Sequence, residues 1–493
     1  MRERHTPLVA GRAAWSAAVV TVSVILGCSP PPAALDAGFV DAATTPDTAC
    51  LSGEGASTGP WLRCAGGAGI DRALAVAASA DGDVVVGGNL GPDPRIGDRS
   101  LTISAGFPQD AFIARYDREG RLRWAHSFGS EHDAGQENSE AVFALAADAT
   151  GHTVALGRLV ADADCGDGVV LGRTPPPLGV AEMYTFLARF SPEGRCLWSR
   201  RLSGHEVFNP MDVGVDAAGN VYVTDGSVYA PDGTRLRMSD SASFFGGVDL
   251  AVHPGGSTSH LGRGSDVRGM TIMGHTFERE PTEYVFQLEP DGAVRWVREM
   301  PASGGFEVTV DLVSAGPDGE VRVHGTMIPG ITLDFGGGVT VAATSTQQGF
   351  AVAFDRTGQP LRAFLSGETN RDPFGRHAAF APDGSLVTAG SFQGSLSLDP
   401  TTTLRASTDT AREAYFAWFD STGQARWVER LIPAEPTDYI NATYVTVDPL
   451  GDVVLVGATS AGLTWRGESV PRVGETGMSR YETVFIAKAP GAR

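Results

Sequence analysis

Along most of the chain, short apolar runs alternate with turn residues, and the spacing repeats. One recurring piece is an apolar strand, a Gly turn and a second apolar strand. It reads LAVAASADGDVVVGG around Gly82 and FALAADATGHTVALG around Gly151. DVGVDAAGNVYVTDG follows around Gly219, then DLAVHPGGSTSHLG around Gly256. VSAGPDGEVRVHG at Gly319, AAFAPDGSLVTAG at Gly384 and TVDPLGDVVLVG at Gly451 bring the copies to seven. The intervals between the turn glycines are 69, 68, 37, 63, 65 and 67 residues. A fixed period of this kind marks a repeat architecture.

A second piece follows in most copies. It reads FIARYDREGRLRW at Gly120, FLARFSPEGRCLW at Gly194, YVFQLEPDGAVRW at Gly292, FAVAFDRTGQPLR at Gly358 and YFAWFDSTGQARW at Gly423. Phe112, Phe186, Tyr284, Phe350 and Tyr415 each stand eight residues before their glycine. Trp124, Trp198, Trp296 and Trp427 stand four after. Both pieces have the pattern of a β-hairpin. The turn glycine supplies the positive φ that a tight hairpin requires, and β-branched and aromatic residues flank it. Two hairpins make a four-stranded blade, and blades packed radially cover one another's faces. The pattern therefore predicts an all-β, seven-bladed β-propeller, with the recurring tryptophan packed between neighbouring blades. A plain blade takes about 40 residues, so the 37-residue interval is a plain blade, its second hairpin lying at YAPDGTRLRM around Gly233. The other units carry extra residues between the hairpins, with a short strand expected at Ser100–Ser104.

The ends carry the ring closure. The last copy reads VFIAKAPGAR, in which Phe485 aligns with Phe112 and Lys488 with Arg115. Its fourth strand is absent. Near the start, the segment from Trp61 resembles the strand from Trp124, so an N-terminal strand is expected to complete the seventh blade and close the ring. A bare edge strand would otherwise remain. The units resemble bacterial SBBP-type β-propeller repeats, most closely over residues 212–226, and the resemblance covers roughly residues 60–493. It implies an exported or surface protein and speaks to architecture rather than activity. The tryptophan hairpin is also similar to that of quinoprotein-type propellers, but the adjacent-cysteine ring of that family has no counterpart here.

The first segment is an address. Arg2, Arg4 and Arg12 precede a run of apolar and small residues from Ala13 to Gly27. That run is shorter than the about 20 residues a membrane-spanning helix needs, and fits a signal peptide. Ile25-Leu26-Gly27-Cys28 resembles the bacterial lipobox, which implies transfer of a diacylglycerol to the Cys28 thiol, cleavage before Cys28, acylation of the new N-terminus by a fatty acid such as palmitate, and a membrane hold through the N-terminal lipid. Residues 1–27 are thus read as a lipoprotein signal peptide, 28–57 as a Pro/Ala/Asp-rich tether and 58–493 as the propeller. Ser29 after the cysteine points to the outer membrane.

Composition narrows the function classes. The formal charge is −20, or −22 once residues 1–27 are removed. Phosphate backbones need a basic surface, so nucleic acid is not an expected partner. Lys488 is the only lysine, which leaves little room for Schiff-base or Walker-type chemistry. Apart from Cys28 there are four cysteines, Cys50, Cys64, Cys165 and Cys196. An even count in an exported chain suggests disulfides, and local pairing (Cys50 with Cys64, Cys165 with Cys196) is the simplest of three connectivities.

Candidate chemistry is sparse. The G-x-S-x-G match at Gly55–Gly59 lies in the tether region without the strand and helix a nucleophile elbow needs. Asp162, Asp164 and Asp167 form an acidic loop with part of a calcium pattern but not EF-hand spacing. His253 and His260 flank a Gly-Ser turn without a metal-ligand motif. Asp81, Asp232, Asp291 and Asp383 stand beside turn glycines, where their expected role is turn formation. No catalytic, cofactor-binding or metal residue is assigned. The expected protein is a monomeric, lipid-anchored binding or scaffold module for a protein or polysaccharide. The alternative is a propeller lyase or glycoside hydrolase with its site at the central channel.

Overall fold

The computed structural model describes residues 59–491 apart from 68, 104–108, 130–139, 161, 167, 172–183, 203–211, 238–245, 265–267, 270, 273, 279–281, 301–306, 345–346, 369–377, 461 and 471–481. Alternating apolar runs separated by Gly turns fold here as antiparallel hairpins, joined in pairs into four-stranded blades. Blade 1 pairs Arg72–Ala78, Val84–Leu90, Asp110–Tyr116 and Leu122–Phe128 in that order. Blade 2 runs from Ala141–Ala147 to Cys196–Leu202, blade 3 from Val213–Val215 to Arg235–Arg237, and blade 4 from Gly246–Val252 to Val294–Glu299. Blade 5 runs from Val308–Ala315 to Pro360–Glu368 and blade 6 from Ala378–Phe380 to Ala425–Pro433. Blade 7 has Ile440–Val447, Asp452–Thr459 and Thr483–Pro490, and takes its fourth strand, Trp61–Gly66, from the other end of the chain. Trp61 stands opposite Lys488, Leu62 opposite Ala487 and Cys64 opposite Phe485. The first strands of successive blades touch around the centre, and that of blade 7 touches that of blade 1. The molecule is a closed seven-bladed β-propeller.

The aromatic residue eight before each second-hairpin glycine has a defined partner. It lies across a glycine in the blade's second strand, with Gly88 opposite Phe112, Gly157 opposite Phe186, Gly262 opposite Tyr284 and Gly325 opposite Phe350. Gly390 opposite Tyr415 and Gly457 opposite Phe485 continue the series. A Cβ on Gly157 would stand 2.4 Å from the Phe186 ring, and one on Gly262 2.3 Å from Tyr284. The ring fills the space that the absent side chain leaves, so small and large residues interlock inside the blade.

Each blade has two apolar faces, and the cores lie between blades. One cluster joins blades 1 and 2 through Ile113, Trp124, Val142 and Phe186. Another joins blades 7 and 1 through Trp61, Val86, Val454 and Ile486. The junction of blades 3 and 4 is the exception: it is split between a small cluster of Tyr222, Val228 and Leu250 and a second within blade 4 around Tyr284 and Phe286.

The first strands of blades 1, 2, 4, 5 and 7 each carry a β-bulge, between Ala73/Ala75, Val142/Ala144, Gly247/Asp249, Val310/Leu312 and Ala442/Tyr444. A bulge interrupts the ladder. Side chains of the preceding blade fill several of the resulting vacancies. Asp249 accepts the Val313 N–H at 2.6 Å, Glu283 accepts that of Val310, and Ser391 Oγ accepts that of Ala442 at 3.3 Å.

The extra residues form small hairpins between the second and third strands of six blades. These are Arg95–Ile96 with Arg99–Ser100, Ala163–Asp164 with Val170–Leu171, Thr271–Ile272 with His275–Thr276, Thr332–Asp334 with Thr340–Ala342, Ser395–Ser397 with Thr403–Arg405, and Leu463–Trp465 with Glu468–Val470. The expected strand at Ser100–Ser104 is therefore corrected. The strand ends at Ser100, and Leu101–Ile103 lie outside it. Two-residue ladders are too short to show alternation. The hairpin of blade 1 extends the sheet at Trp61–Gly66, and that of blade 7 extends it at Ala425–Pro433. Blade 3 has no such insert: Val221–Val223 turns through Gly226 straight into Val228–Tyr229, and Gly233 then turns into Arg235–Arg237, as its short interval predicts.

Candidate functional site

The recurring tryptophans are inter-blade clamps. Trp61 of blade 7 covers the Gly120 turn of blade 1, Trp124 covers Gly194, Trp198 covers Gly233 and Trp296 covers Gly358. A Cβ on any of these glycines would come within 2.7–2.8 Å of the indole. Gly120 thus has two reasons to be glycine, its φ of 81° and the ring above it. Three indoles also donate to the turn they cover: Trp61 to Arg118 O at 3.0 Å, Trp124 to Pro192 O at 2.9 Å and Trp198 to Pro231 O at 2.8 Å. Two residues on, Arg63, His126, Arg200 and Arg298 each reach the carbonyl of the covered glycine. The pairing recurs along the sequence as W-x-[R/H], at Trp61, Trp124, Trp198 and Trp296. Trp427 departs from the pattern. It packs on Phe416 of its own blade at 5.1 Å, because the third and fourth strands of blade 7 are separate chain ends with no turn for it to cover.

Of the cysteines, Cys165 and Cys196 form a disulfide, tying the small hairpin of blade 2 to that blade's outer strand. Cys64 is disulfide-bonded as well. Cys28 and Cys50 lie outside the described residues, as does Ser57 of the G-x-S-x-G match. Asp164 accepts the Gly166 N–H at 2.8 Å and so caps its own turn, while Asp167 is not described. Asp232, Asp291 and Asp383 each accept a backbone N–H two residues on, at 2.8–2.9 Å, and Asp81 accepts Ser79 Oγ. Among the described residues no group of three or more His, Cys, Asp or Glu is placed to hold a metal.

The two candidate histidines have separate partners. His253 pairs with Ser259 at 2.8 Å and with Gln287, whereas His260 pairs with Thr258 at 2.8 Å and stacks on Phe286 at 4.8 Å. Ser259 and His260 are consecutive strand residues, so these two sets lie on opposite faces of blade 4. Burial pushes His253 down to about 4 and His260 down to about 3. Both are neutral at physiological pH.

Blade 5 contains a row that sequence reading missed. His324 Nδ1 lies 2.8 Å from Asp311, and its Nε2 lies 3.2 Å from Ser366 Oγ. The order is that of a nucleophilic triad, but Ser366 is 1% exposed and His324 2%, so substrate has no path to the hydroxyl. The row ties the bulged inner strand to the outer one.

A more open constellation lies where blades 6, 7 and 1 meet. Arg72 begins the inner strand of blade 1 and donates to Glu482 at 2.8 Å. The hydroxyl of Tyr439, just before the inner strand of blade 7, donates to the other oxygen of Glu482 at 2.9 Å. Burial, and then the charge of Glu482, push the Tyr439 phenol up to about 12. Tyr439 bridges to Arg412 of blade 6, and Ile70 bridges to Glu482. Behind them Asp71 is fully buried and accepts the N–H groups of Gly67 at 2.9 Å and Gly91 at 2.6 Å. Burial raises it to about 7 against the lowering effect of those bonds. Arg72 is 41% exposed, so the group reaches solvent. No repeat marks Arg72, Tyr439 or Glu482, whereas Asp71 has a counterpart in Glu140 of blade 2, which accepts the Val160 N–H at the equivalent position.

A second opening lies at the rim. A cleft of ≈ 330 Å³ runs along the outer strand of blade 4, lined by Gly274, His275, Trp296, Arg298 and Thr357 among others. Its charges are largely used: Arg295 is held by Glu289 at 2.6 Å, His275 by Glu299 at 2.9 Å, and Arg298 by the carbonyl of Gly358 at 2.8 Å.

No family model and no curated protein matches the chain. Among solved structures it is similar to the β-propeller domain of the Trilobed protease from Pyrococcus furiosus, at 10% identity over 85% of this chain and 97% of that one, with a TM-score of 0.37. It is similar to YCF48 bound to a D1 peptide, at 8% identity over 86% and 98%, TM-score 0.36. A puromycin hydrolase is similar at 13% identity over 82% of this chain and 54% of its own, TM-score 0.38. At such identities the likeness is one of fold alone.

Proposed function

We propose that this is a lipid-anchored envelope protein of the SBBP-repeat type whose propeller serves as a binding module for a protein or polysaccharide. The observation that carries the reading is the arrangement of the inserts. Six small hairpins hang from equivalent points of six blades, while the blades are locked to one another by the tryptophan clamps. A rigid frame with differing loops at one repeated position is suited to recognition. The lipobox-like Cys28 supports attachment to the membrane, and the serine after it supports the outer membrane.

Two experiments test the reading. Cys28→Ala should move the protein from the membrane to the soluble fraction, and retention in the membrane contradicts the anchor. Cross-linking on whole cells should give a defined adduct that disappears when the hairpin Thr332–Ala342 is replaced by a tight turn. An adduct pattern unchanged by shortening each insert in turn contradicts recognition through them.

A further inference from the structure

We propose that the cleft along the outer strand of blade 4 takes an extended acidic peptide, with Arg298 and the Val297 N–H holding one of its carboxylates. The inference rests on the binding-module reading and gives it a place and a ligand class. The molecule supplies its own precedent in blade 7. Trp61 and Trp296 are equivalent: they stand opposite Lys488 and Gln287, each three residues after the interlocking aromatic ring. Arg63 and Arg298 follow two residues on, and the Nε of each donates to the carbonyl of the covered glycine, at 2.7 and 2.8 Å. In blade 7 the Leu62 N–H donates to Glu468 Oε2 at 2.9 Å, and Arg63 pairs with the same oxygen at 3.6 Å. The outer edge of that strand also pairs with a short strand, through Ala65 and Gly66. The outer strand of blade 6 takes Leu463 and Thr464 in the same way.

In blade 4 the corresponding places are open. Val294–Glu299 is last in its sheet, and among the described residues no strand pairs with its outer edge. The shared register puts the Val297 N–H on that edge, where Leu62 has its own in blade 7. Arg298 makes no ion pair among the described residues, and only its Nε is bonded. Asp355, in the covered turn, lies near Arg298 without pairing with it, and its Oδ1 accepts the N–H groups of Thr357 and Gln359. Arg295 and His275 are already held by Glu289 and Glu299. The cleft of ≈ 330 Å³ is lined by five consecutive residues, from Val294 to Arg298. Side chains alternate between faces, so a consecutive lining means that the cleft follows the strand edge itself. Trp296 and Arg298 share one face, and both are half-buried. A guanidinium beside a free N–H selects a carboxylate, and an open strand edge selects an extended peptide. An acidic peptide meets both demands, whereas an acidic saccharide meets only the first.

The test is fluorescence polarisation with the lipidated full chain in detergent. The probe is a short, capped, labelled peptide that alternates threonine and valine around one central glutamate. Its glutamine analogue and tetragalacturonate are the comparisons. The glutamate peptide should bind, and the glutamine analogue at least tenfold more weakly. Arg298→Met should weaken the glutamate peptide at least tenfold and leave the glutamine analogue unchanged. Val297→Pro removes the edge N–H where a strand tolerates proline, and should weaken both peptides. It decides the matter should Arg298→Met fold poorly. Arg200→Met, the equivalent change in blade 2, should leave binding as it is. Four results overturn the site: equal affinity for the two peptides, equal binding by wild type and both blade 4 variants, preference for tetragalacturonate, or no binding of the glutamate peptide. The cell cross-linking experiment judges the binding-module reading separately, because it reads the inserts and not this strand.

Discussion

The ammonium group of Lys488 donates to the carbonyl oxygen of Gly82 at 2.7 Å, joining the last blade to the first. It also pairs with Asp448 at 2.9 Å, and both side chains are almost fully buried. Arg115 and Arg189 do the same between blades 1 and 2 and between blades 2 and 3, each pairing with an aspartate of its own blade and reaching the next blade's turn carbonyl at Gly151 or Gly219. Lys488→Met leaves Asp448 buried and uncompensated. It should lower stability by about 3–5 kcal/mol, the usual cost of removing one partner of a buried pair. Lys488→Arg should retain most of it, since arginine does this work elsewhere in the ring. Urea unfolding of both variants decides.

The glycine–aromatic interlock predicts sharp positional sensitivity. Gly157→Ala places a methyl group 2.4 Å from Phe186 and should cost about 1–3 kcal/mol. Gly255→Ala, where nothing lies within 4 Å, should be nearly silent. Comparable losses at both positions would contradict the packing described.

Blade 4 should be sensitive to acid. His253 and His260 are held far below the ordinary 6.5, to about 4 and about 3, chiefly by burial. Below pH 6.5 the unfolded chain takes up these protons and the folded one does not. Stability should fall as the pH drops from 6.5 toward 4, by at most about 1.4 kcal/mol per group per pH unit. Asp71 acts in the opposite sense. Its raised value gives stability fully present below 3.8 and lost as the pH rises through about 7. Unfolding midpoints at pH 7.5, 5.5 and 4.5 should show a smaller acid loss in His260→Gln than in wild type, and an equal loss contradicts the assignment.

The Cys165–Cys196 bridge closes a loop with a sequence separation of 31. Replacing both cysteines with serine should cost about 3–4 kcal/mol on the chain-entropy account. An unchanged melting temperature would show that the small hairpin is held without it.

What was legible in the sequence was whatever repeats. The turn glycines, the aromatic residues before them and the tryptophans after them recur at fixed offsets, and they specify blade number and ring closure. The short interval at Gly219–Gly256 marked the compact third blade. The small hairpins were not legible, because two- and three-residue ladders carry no alternation. The group where blades 6, 7 and 1 meet was not legible either, for a different reason. Arg72 and Glu482 are separated by 410 positions, and each is used once, so no period points to them. His253 and His260 flank one Gly-Ser turn in the chain, but strand alternation sends their partners to opposite faces.

The central claim is that the strand from Trp61 closes the ring against the strand ending at Pro490. The direct test is a cysteine pair at the facing positions Leu62 and Ala487, introduced in the full chain and oxidised under dilute conditions. The account predicts an intramolecular disulfide between peptides from the two chain ends, identified by mass spectrometry, with the melting temperature kept or raised. Failure to form that bond while the protein remains folded, or its formation only between molecules, would contradict closure by this strand.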